Sequence, residues 1–156
     1  IFLILIVVKF GCSVHIVCEV SAVCDIHDIR TSADFFVHRY MPSTVTIAMY
    51  QNLDIGFVNV AFFSTIPSYV TTVDIKNSKH IRWLVIPGQS SVSQLNIAHT
   101  GLRRIDVEKN SVLAELFVAN SNVAQISPTI SNLQATRNIG ITNCMIESVD
   151  MVYTLR

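Results

Sequence analysis

One phrase occurs five times in this sequence, at intervals of about two dozen residues, and a repeat this short restricts the chain to few architectures. Each copy begins with an apolar residue, except the last, which begins with Thr136. Two further apolar positions alternate with variable ones before an Asn or His, which is the period of a β-strand buried on one face. The copies begin at Val45, Val70, Val92, Leu113 and Thr136. We therefore predict one strand per copy, with successive strands pairing in parallel.

The phrase resembles the leucine-rich repeat, L-x-x-L-x-L-x-x-N-x-L, with Val and Ile in place of most leucines. The resemblance implies a leucine-rich repeat solenoid: a parallel β-sheet on the concave face, irregular or short helical return segments, and an N-terminal cap. Small residues occupy the family's buried-Asn position in four copies: Ser78, Thr100, Ser121 and Cys144. Leu53 breaks this rule in the first copy, so a rival register with Leu53 and Ile55 as the strand pair stays open.

The amino-terminal residues 1–8 form an unbroken apolar run. The run is too short to cross a bilayer but is typical of the apolar region of a secretory signal peptide. The alternative is a buried strand of an intracellular domain. We divide the chain into a partial signal peptide (1–13), an N-terminal cap (14–41) and an array of about five repeats (42–156) that we expect to be truncated at its carboxyl end. Cleavage after Ala22 is the alternative end of the signal peptide.

Cys18 and Cys24 lie just ahead of the array. Extracellular leucine-rich repeat proteins place a disulfide-bonded cap at this position, so the resemblance implies a disulfide between these cysteines and an oxidising compartment. Two unrelated buried thiols are the alternative. Cys144 falls in the column of small residues, where packing explains it.

Composition and motifs argue against catalysis and nucleic-acid binding. Charged residues make up 14% of the chain and the formal net charge is zero, so there is no basic footprint for nucleic acid. Asp25, His27, Asp28 and His38 have no spacing that matches a zinc or calcium site. The sequence has neither a Gly-rich phosphate loop nor a Gly-x-Ser-x-Gly motif. We predict a protein that is not an enzyme and has no cofactor, metal or nucleic-acid partner.

The variable strand positions should build a surface, because they point away from the buried pair. The resulting candidates for binding on the concave face are Met49, Gln51, Thr72, Asp74, Lys76, Gln94, Asn96, Glu115, Phe117 and Asn138. Phe117 is the kind of aromatic anchor that a protein partner buries, although an ordinary exposed apolar side chain is the alternative.

A column of amide and imidazole side chains follows the strands. It consists of Asn52, Asn77, His99, Asn120 and Asn143. We interpret it as structural, a polar ladder between neighbouring repeats. Glycan binding is the second interpretation, but the column lacks the aromatic platform that such sites use.

Several longer phrases are similar to segments of secreted insect leucine-rich repeat proteins, nearest to the immune proteins of mosquitoes. They are residues 66–70, 73–78, 84–87, 126–130 and 143–146, and the resemblance spans about residues 14–156. It implies a secreted recognition module that binds a protein partner through its concave face, in innate immunity. The alternative is an ectodomain fragment of a membrane leucine-rich repeat receptor or adhesion protein.

The last repeat is expected to expose core side chains, because a repeat array buries its core only where a neighbour covers it. The residues concerned are Ile139, Ile141, Ile146 and Val149. We expect homo- or hetero-oligomers to form through this end of the array.

Overall fold

The computed structural model describes residues 14–18, 22–146 and 148–149. Within these ranges the chain is mostly β-strand, with few helices, and is compatible with a β-rich repeat fold. The signal peptide predicted for residues 1–13 lies outside the described residues. None of the helices in the described ranges is long and apolar enough to cross a membrane.

The strands are short and regularly spaced. They are β1 (His15–Cys18), β2 (Val23–His27), β3 (Ile47–Gln51), β4 (Phe57–Val58), β5 (Thr72–Lys76), β6 (Trp83–Ile86), β7 (Gln94–Ala98), β8 (Arg104–Val107), β9 (Glu115–Ala119), β10 (Gln125–Ile126), β11 (Asn138–Thr142) and β12 (Ser148–Val149). One α-helix, α1 (Val60–Thr65), and two 3₁₀ helices, Ser32–Tyr40 and Pro128–Asn132, lie between them.

From β3 onward, the chain alternates between two sheets. The larger sheet has the order β1-β2-β3-β5-β7-β9-β11, and the smaller sheet has the order β12-β10-β8-β6-β4. Only the β1–β2 pair is antiparallel among the pairs described, and every later pair is parallel. Each copy of the sequence phrase therefore gives one strand to the larger sheet, and its return segment gives one to the smaller sheet.

The register of the larger sheet aligns the same phrase position in every repeat. Ala48 pairs with Val73 and Val73 with Leu95, and all three are fully buried. In β3 the inward side chains are those of Ala48 and Tyr50, whereas Leu53 is buried beyond the end of the strand. The first repeat thus follows the same register as the others, rather than the rival one. Inward residues of both sheets meet in a single apolar core, rich in the β-branched side chains that suit buried strands.

The amide and imidazole column marks a left-handed turn after five strands of the larger sheet: β3, β5, β7, β9 and β11. Its φ values are 56° for Asn52, 52° for Asn77, 54° for His99, 48° for Asn120 and 50° for Asn143. Residues with a Cβ rarely adopt this conformation, and Asn tolerates it best. The column is therefore explained mainly by backbone geometry. A direct side-chain bond between neighbours is present where the Asn143 amide donates to Asn120 at 3.2 Å.

The column of small residues joins consecutive turns by hydrogen bonds. The buried Ser78 hydroxyl accepts from the Leu53 backbone N–H at 3.0 Å and donates to the Lys76 carbonyl at 2.9 Å. Ser121 accepts from the Thr100 N–H at 3.3 Å in the same way. These hydroxyls satisfy turn backbone groups that would otherwise be buried without partners.

The amino-terminal segment contains the β1–β2 hairpin and the 3₁₀ helix Ser32–Tyr40. Cys18 and Cys24 are paired across the hairpin at a Cα–Cα distance of 4.0 Å, so they lie at disulfide distance, as predicted. The Asp34 carboxylate accepts from the backbone N–H groups of Arg30 at 2.9 Å and Thr31 at 2.8 Å. These bonds fix the start of the 3₁₀ helix.

His38 connects this helix to the repeats. Its Nδ1 lies 2.9 Å from Thr65 Oγ1, and its Nε2 lies 2.8 Å from the Tyr50 hydroxyl. The Thr65 hydroxyl donates its own hydrogen to the Phe62 carbonyl at 2.7 Å, so His38 must carry its proton on Nδ1 and accept from Tyr50 at Nε2. Burial lowers the pKa of His38 to about 4 and keeps the ring neutral. The network ties the 3₁₀ helix to β3 and α1.

Candidate recognition face

The candidate site is the face of the larger sheet that points away from the core, which we call the outer face. Its side chains form three rows, because equivalent strand positions are aligned by parallel pairing. The rows are Val23, Ile47, Thr72, Gln94, Glu115 and Asn138; Asp25, Met49, Asp74, Asn96, Phe117 and Gly140; and His27, Gln51, Lys76, Ala98, Ala119 and Thr142.

All ten predicted binding candidates lie on this face. Met49, Asp74, Asn96 and Phe117 belong to the middle row, and the other six belong to the two flanking rows. Their side chains are half-buried or exposed. In β3, β5, β7 and β9 they alternate with buried residues of the same strand, whereas β11, which contains Asn138, has no buried residue. Tight neighbour spacing in a sheet makes these rows a continuous surface.

Polar side chains on the outer face hold one another in place. The Asn96 amide donates to the Asp74 carboxylate, and Lys76 Nζ lies 3.6 Å from the same carboxylate. The Asn138 amide donates to Glu115 at 3.1 Å. Since these bonds run between neighbouring side chains, part of the face is ordered in the free chain, which would lower the entropic cost of binding to it.

Phe117 is the large apolar group of this face, and Gly140 gives it space. The ring is 39% exposed. A Cβ at Gly140 would lie 2.8 Å from the Phe117 Cδ1 atom, so the ring lies across the neighbouring strand where a side chain would otherwise stand. One side of the Phe117 ring therefore covers Gly140, and the rest of the ring is exposed to solvent.

Sequence reasoning missed the part of the outer face that β2 provides. β2 pairs in parallel with β3, placing Asp25 beside Met49 and His27 beside Gln51. Asp28, with φ of 62°, takes the left-handed position that Asn takes in the repeats. The signal was present, because Cys24, Ile26 and Asp28 have the spacing of the repeat phrase.

Asp25 is the least satisfied polar group of the outer face. Its Oδ1 atom is buried and accepts no hydrogen bond from the part of the chain that the structure describes. Buried carboxylate oxygens almost always have a partner.

Two of the residues that we considered as metal ligands, His38 and Asp28, have other roles in the structure. His38 is buried in the Tyr50–Thr65 network, and Asp28 occupies the turn after β2. In the described ranges, no group of three or more His, Cys, Asp or Glu side chains is placed to hold a metal ion. The Cys144 thiol is half-buried and donates to the Thr142 carbonyl at 3.3 Å, in the manner of the serines in its column.

A second cluster on the surface lies on the smaller sheet and was not predicted. Phe57, Trp83 and Arg104 are consecutive members of one row, with ring centroids 5.8 Å apart and the Arg104 guanidinium 5.3 Å from the Trp83 ring. The indole N–H donates to Asp106 at 2.6 Å, and Arg104 donates to the same carboxylate at 2.7 Å. Desolvation raises the pKa of the Asp106 carboxyl, but the hydrogen bonds from Arg104, Ser127 and Trp83 outweigh it and hold the pKa below its usual value.

Comparisons of the chain with protein-family models, with curated proteins and with solved structures found no match.

Proposed function

We propose that the chain is a solenoid of the leucine-rich repeat type and a secreted recognition module, which binds a protein partner through the outer face of its larger sheet. In such a solenoid this face is the concave one. The main support for this proposal is the strand register of the larger sheet, which aligns three rows of half-exposed side chains across six parallel strands. A surface of this kind is wide enough for a protein rather than a small molecule.

Three features support the repeat assignment. Strands alternate between two sheets at the period of the sequence phrase. A left-handed residue ends each repeat strand of the larger sheet. Small polar side chains join neighbouring turns by hydrogen bonds, which is the role of the buried Asn in the repeat that the phrase resembles.

The chemistry of the outer face favours a partner with basic and apolar groups. Asp25, Asp74 and Glu115 are acidic, and Lys76 already lies against Asp74. Phe117 supplies an aromatic anchor of the type that dominates binding energy at protein interfaces. We infer that the partner presents Lys or Arg side chains beside an apolar pocket.

The cysteine pair supports an extracellular location, because disulfides persist in oxidising compartments. Innate immunity is the setting that the similarity of the longer phrases to insect immune proteins suggests. The outer face would have the same role in an ectodomain of a membrane receptor.

The test compares two Phe→Ala variants on opposite surfaces. A partner retained from extracellular fluid by the immobilised chain is purified, and its Kd is measured for wild type, Phe117→Ala and Phe57→Ala. We expect Phe117→Ala to weaken binding by about tenfold or more, the effect of truncating an interface anchor. Phe57 is 58% exposed on the smaller sheet and serves as the matched control, with unchanged Kd. Loss of binding in Phe57→Ala alone would refute the proposal.

A further inference from the structure

The smaller sheet carries a row of aromatic and basic side chains on the face that points away from the core. Phe57, Trp83 and Arg104 occupy the same register position in β4, β6 and β8. The residues that follow Trp83 and Arg104 in these strands, Leu84 and Ile105, are fully buried, so the row points outward. Phe57 is 58% exposed and Trp83 is 37% exposed. Two aromatic side chains thus face solvent beside a cation, on a surface that the proposed protein-binding face does not include.

Hydrogen bonds and a ring contact hold this row in one arrangement. The Trp83 indole N–H donates to the Asp106 carboxylate at 2.6 Å, and Arg104 donates to the two oxygens of the same carboxylate at 2.7 and 3.1 Å. The Phe57 ring packs against Trp83 with an angle of 69° between the ring planes. Arg104 uses its Nε and Nη2 groups in these bonds, so its Nη1 group, which has no hydrogen-bond partner among the described residues, is available to a ligand. Because these side chains are ordered in the free chain, the entropic cost of binding a ligand to them is low.

Three exposed cations adjoin the start of the row: Lys79, Arg82 and Arg103. The Arg103 backbone N–H donates to the Arg82 carbonyl at 2.9 Å, so the two arginines are neighbours in adjacent repeats. The Arg82 guanidinium donates to the Lys79 carbonyl at 2.8 Å and to the Gly101 carbonyl at 3.0 Å, which holds it against the turn that precedes Arg103. Within the described ranges, none of the three cations forms an ion pair with a carboxylate.

The positive charge of this region is not balanced by its neighbours. Asp106 is paired with Arg104, and the Asp54 carboxylate is bonded to His80. Glu108 lies beyond the opposite end of β8. The outer face of the larger sheet, by contrast, carries more acidic than basic groups. An anionic ligand is therefore favoured at the smaller sheet.

We propose that this part of the smaller sheet binds an acidic glycan, a sugar chain that carries sulfate or carboxylate groups. We call the surface the basic face and define it by Phe57, Trp83, Arg82, Arg103 and Arg104. Its two aromatic rings provide an apolar surface for the C–H groups of sugar rings. Its guanidinium groups match sulfate and carboxylate groups by paired, charge-assisted hydrogen bonds. The basic face is separate from the outer face, so it is tested without the proposed protein partner.

Two other anionic partners fit the basic face less well. A bilayer favours aromatic side chains that can insert into its interface, whereas Trp83 is bonded to Asp106 at the surface of the sheet. A nucleic acid requires a broad basic surface, whereas the formal net charge of the chain is zero. The cysteine pair supports an extracellular location, where acidic glycans are displayed on cells.

The test is a titration of the chain with a sulfated, heparin-derived hexasaccharide, followed by the emission of Trp83, the single tryptophan. Wild type should give a saturable change in emission. Arg103→Ala should weaken binding by about threefold to tenfold, because it removes a charge-assisted contact. Phe57→Ala should weaken binding by about threefold or more, because it removes half of the aromatic surface. Urea unfolding verifies that each variant is folded.

Arg137→Ala and Phe117→Ala are the matched controls. Arg137 is an exposed arginine that precedes β11 of the larger sheet, as Arg103 precedes β8, and Phe117 is the exposed aromatic residue of the outer face. Both variants should bind the hexasaccharide like wild type, and the same hexasaccharide without sulfate groups should bind at least about tenfold more weakly. No binding by wild type, an unchanged Kd in both Arg103→Ala and Phe57→Ala, or an equal loss in Arg137→Ala would overturn the proposal. Tighter binding to phosphatidylserine vesicles or to single-stranded oligothymidine would also overturn it, and would assign the basic face to a membrane or a nucleic acid.

Discussion

At the scale of single residues, two side-chain columns determine how each strand leaves the larger sheet. Asn or His provides the left-handed turn, and in four of the five repeats the residue after it provides a hydroxyl or thiol that hydrogen-bonds to turn backbone groups. Both columns are visible in the sequence. The interpretation of the amide and imidazole column as a polar ladder is incomplete, because all five of its residues have a positive φ, which Asn and His adopt more readily than most residues with a side chain.

Asn77→Ala should destabilise the protein by about 1 kcal/mol, because alanine resists the left-handed conformation that φ of 52° requires. Asn77→Gly removes the same amide without that conformational cost. Its free energy of unfolding should therefore differ from that of wild type by only ~0.3 kcal/mol. Urea unfolding followed by the single tryptophan, Trp83, measures both. Equal losses in the two variants would show that the amide, and not the backbone conformation, matters.

Ser78→Ala should cost about 1–3 kcal/mol, because the Leu53 N–H and the Lys76 carbonyl lose a buried partner. Ser64→Ala is the matched control. Its hydroxyl donates to the Ala61 carbonyl on the exposed side of α1, so its loss should cost less than about 0.5 kcal/mol. The same unfolding measurement compares them, and similar values would contradict the role of the column.

His38 makes stability depend on pH. Its folded pKa is about 4 because burial disfavours the charged ring, against 6.5 when unfolded, so between these values the unfolded chain binds more protons. Stability should therefore fall as pH decreases from 6.5 to 4, by roughly 3 kcal/mol at about 1.4 kcal/mol per pKa unit. His38→Gln, which keeps partners for Tyr50 and Thr65, should flatten the dependence in urea unfolding across this range. An unchanged slope in that variant would show that other groups cause it.

At the scale of elements, the five strands that the repeat phrase gives to the larger sheet could be predicted, whereas β1, β2 and the strands of the smaller sheet were not. Two alternating buried positions and a fixed turn residue identify β5, β7 and β9 locally. β4, β10 and β12 are each two residues long, so neighbouring strands determine them rather than any local pattern. Leu84 lies 14 residues after the start of its copy of the phrase at Val70, whereas Ile105 lies 13 residues after Val92. Leu84 nevertheless pairs with Ile105 in register.

Asp106 organises the surface cluster of the smaller sheet. Asp106→Ala removes the acceptor of the Trp83 indole and of Arg104, and should destabilise the protein by about 1–2 kcal/mol and shift the Trp83 emission maximum. Asp54→Ala, which removes an exposed carboxylate bonded to His80, should leave the emission unchanged. Fluorescence spectra and thermal unfolding of both variants provide the measurement. An identical spectrum for Asp106→Ala would contradict the hydrogen bond.

At the scale of the whole molecule, the sequence contains the period and the outward positions, and these were enough to place all ten binding candidates on one face. The sequence does not reveal which outward-pointing side chains contact one another. That the Phe117 ring lies over Gly140, and that Asp25 has a buried oxygen without a described partner, depend on how separate repeats align. The contribution of β2 escaped notice because a cysteine and an aspartate replace the usual residues of the phrase.

The proposed function requires the outer face of the larger sheet to bind the partner. Amide hydrogen exchange of the chain, measured with and without the purified partner, shows which strands the partner covers. We expect slower exchange in β3, β5, β7 and β9, with no change at β6 and α1 or in Trp83 fluorescence. Protection confined to the smaller sheet, with β5 to β9 unchanged, would contradict it.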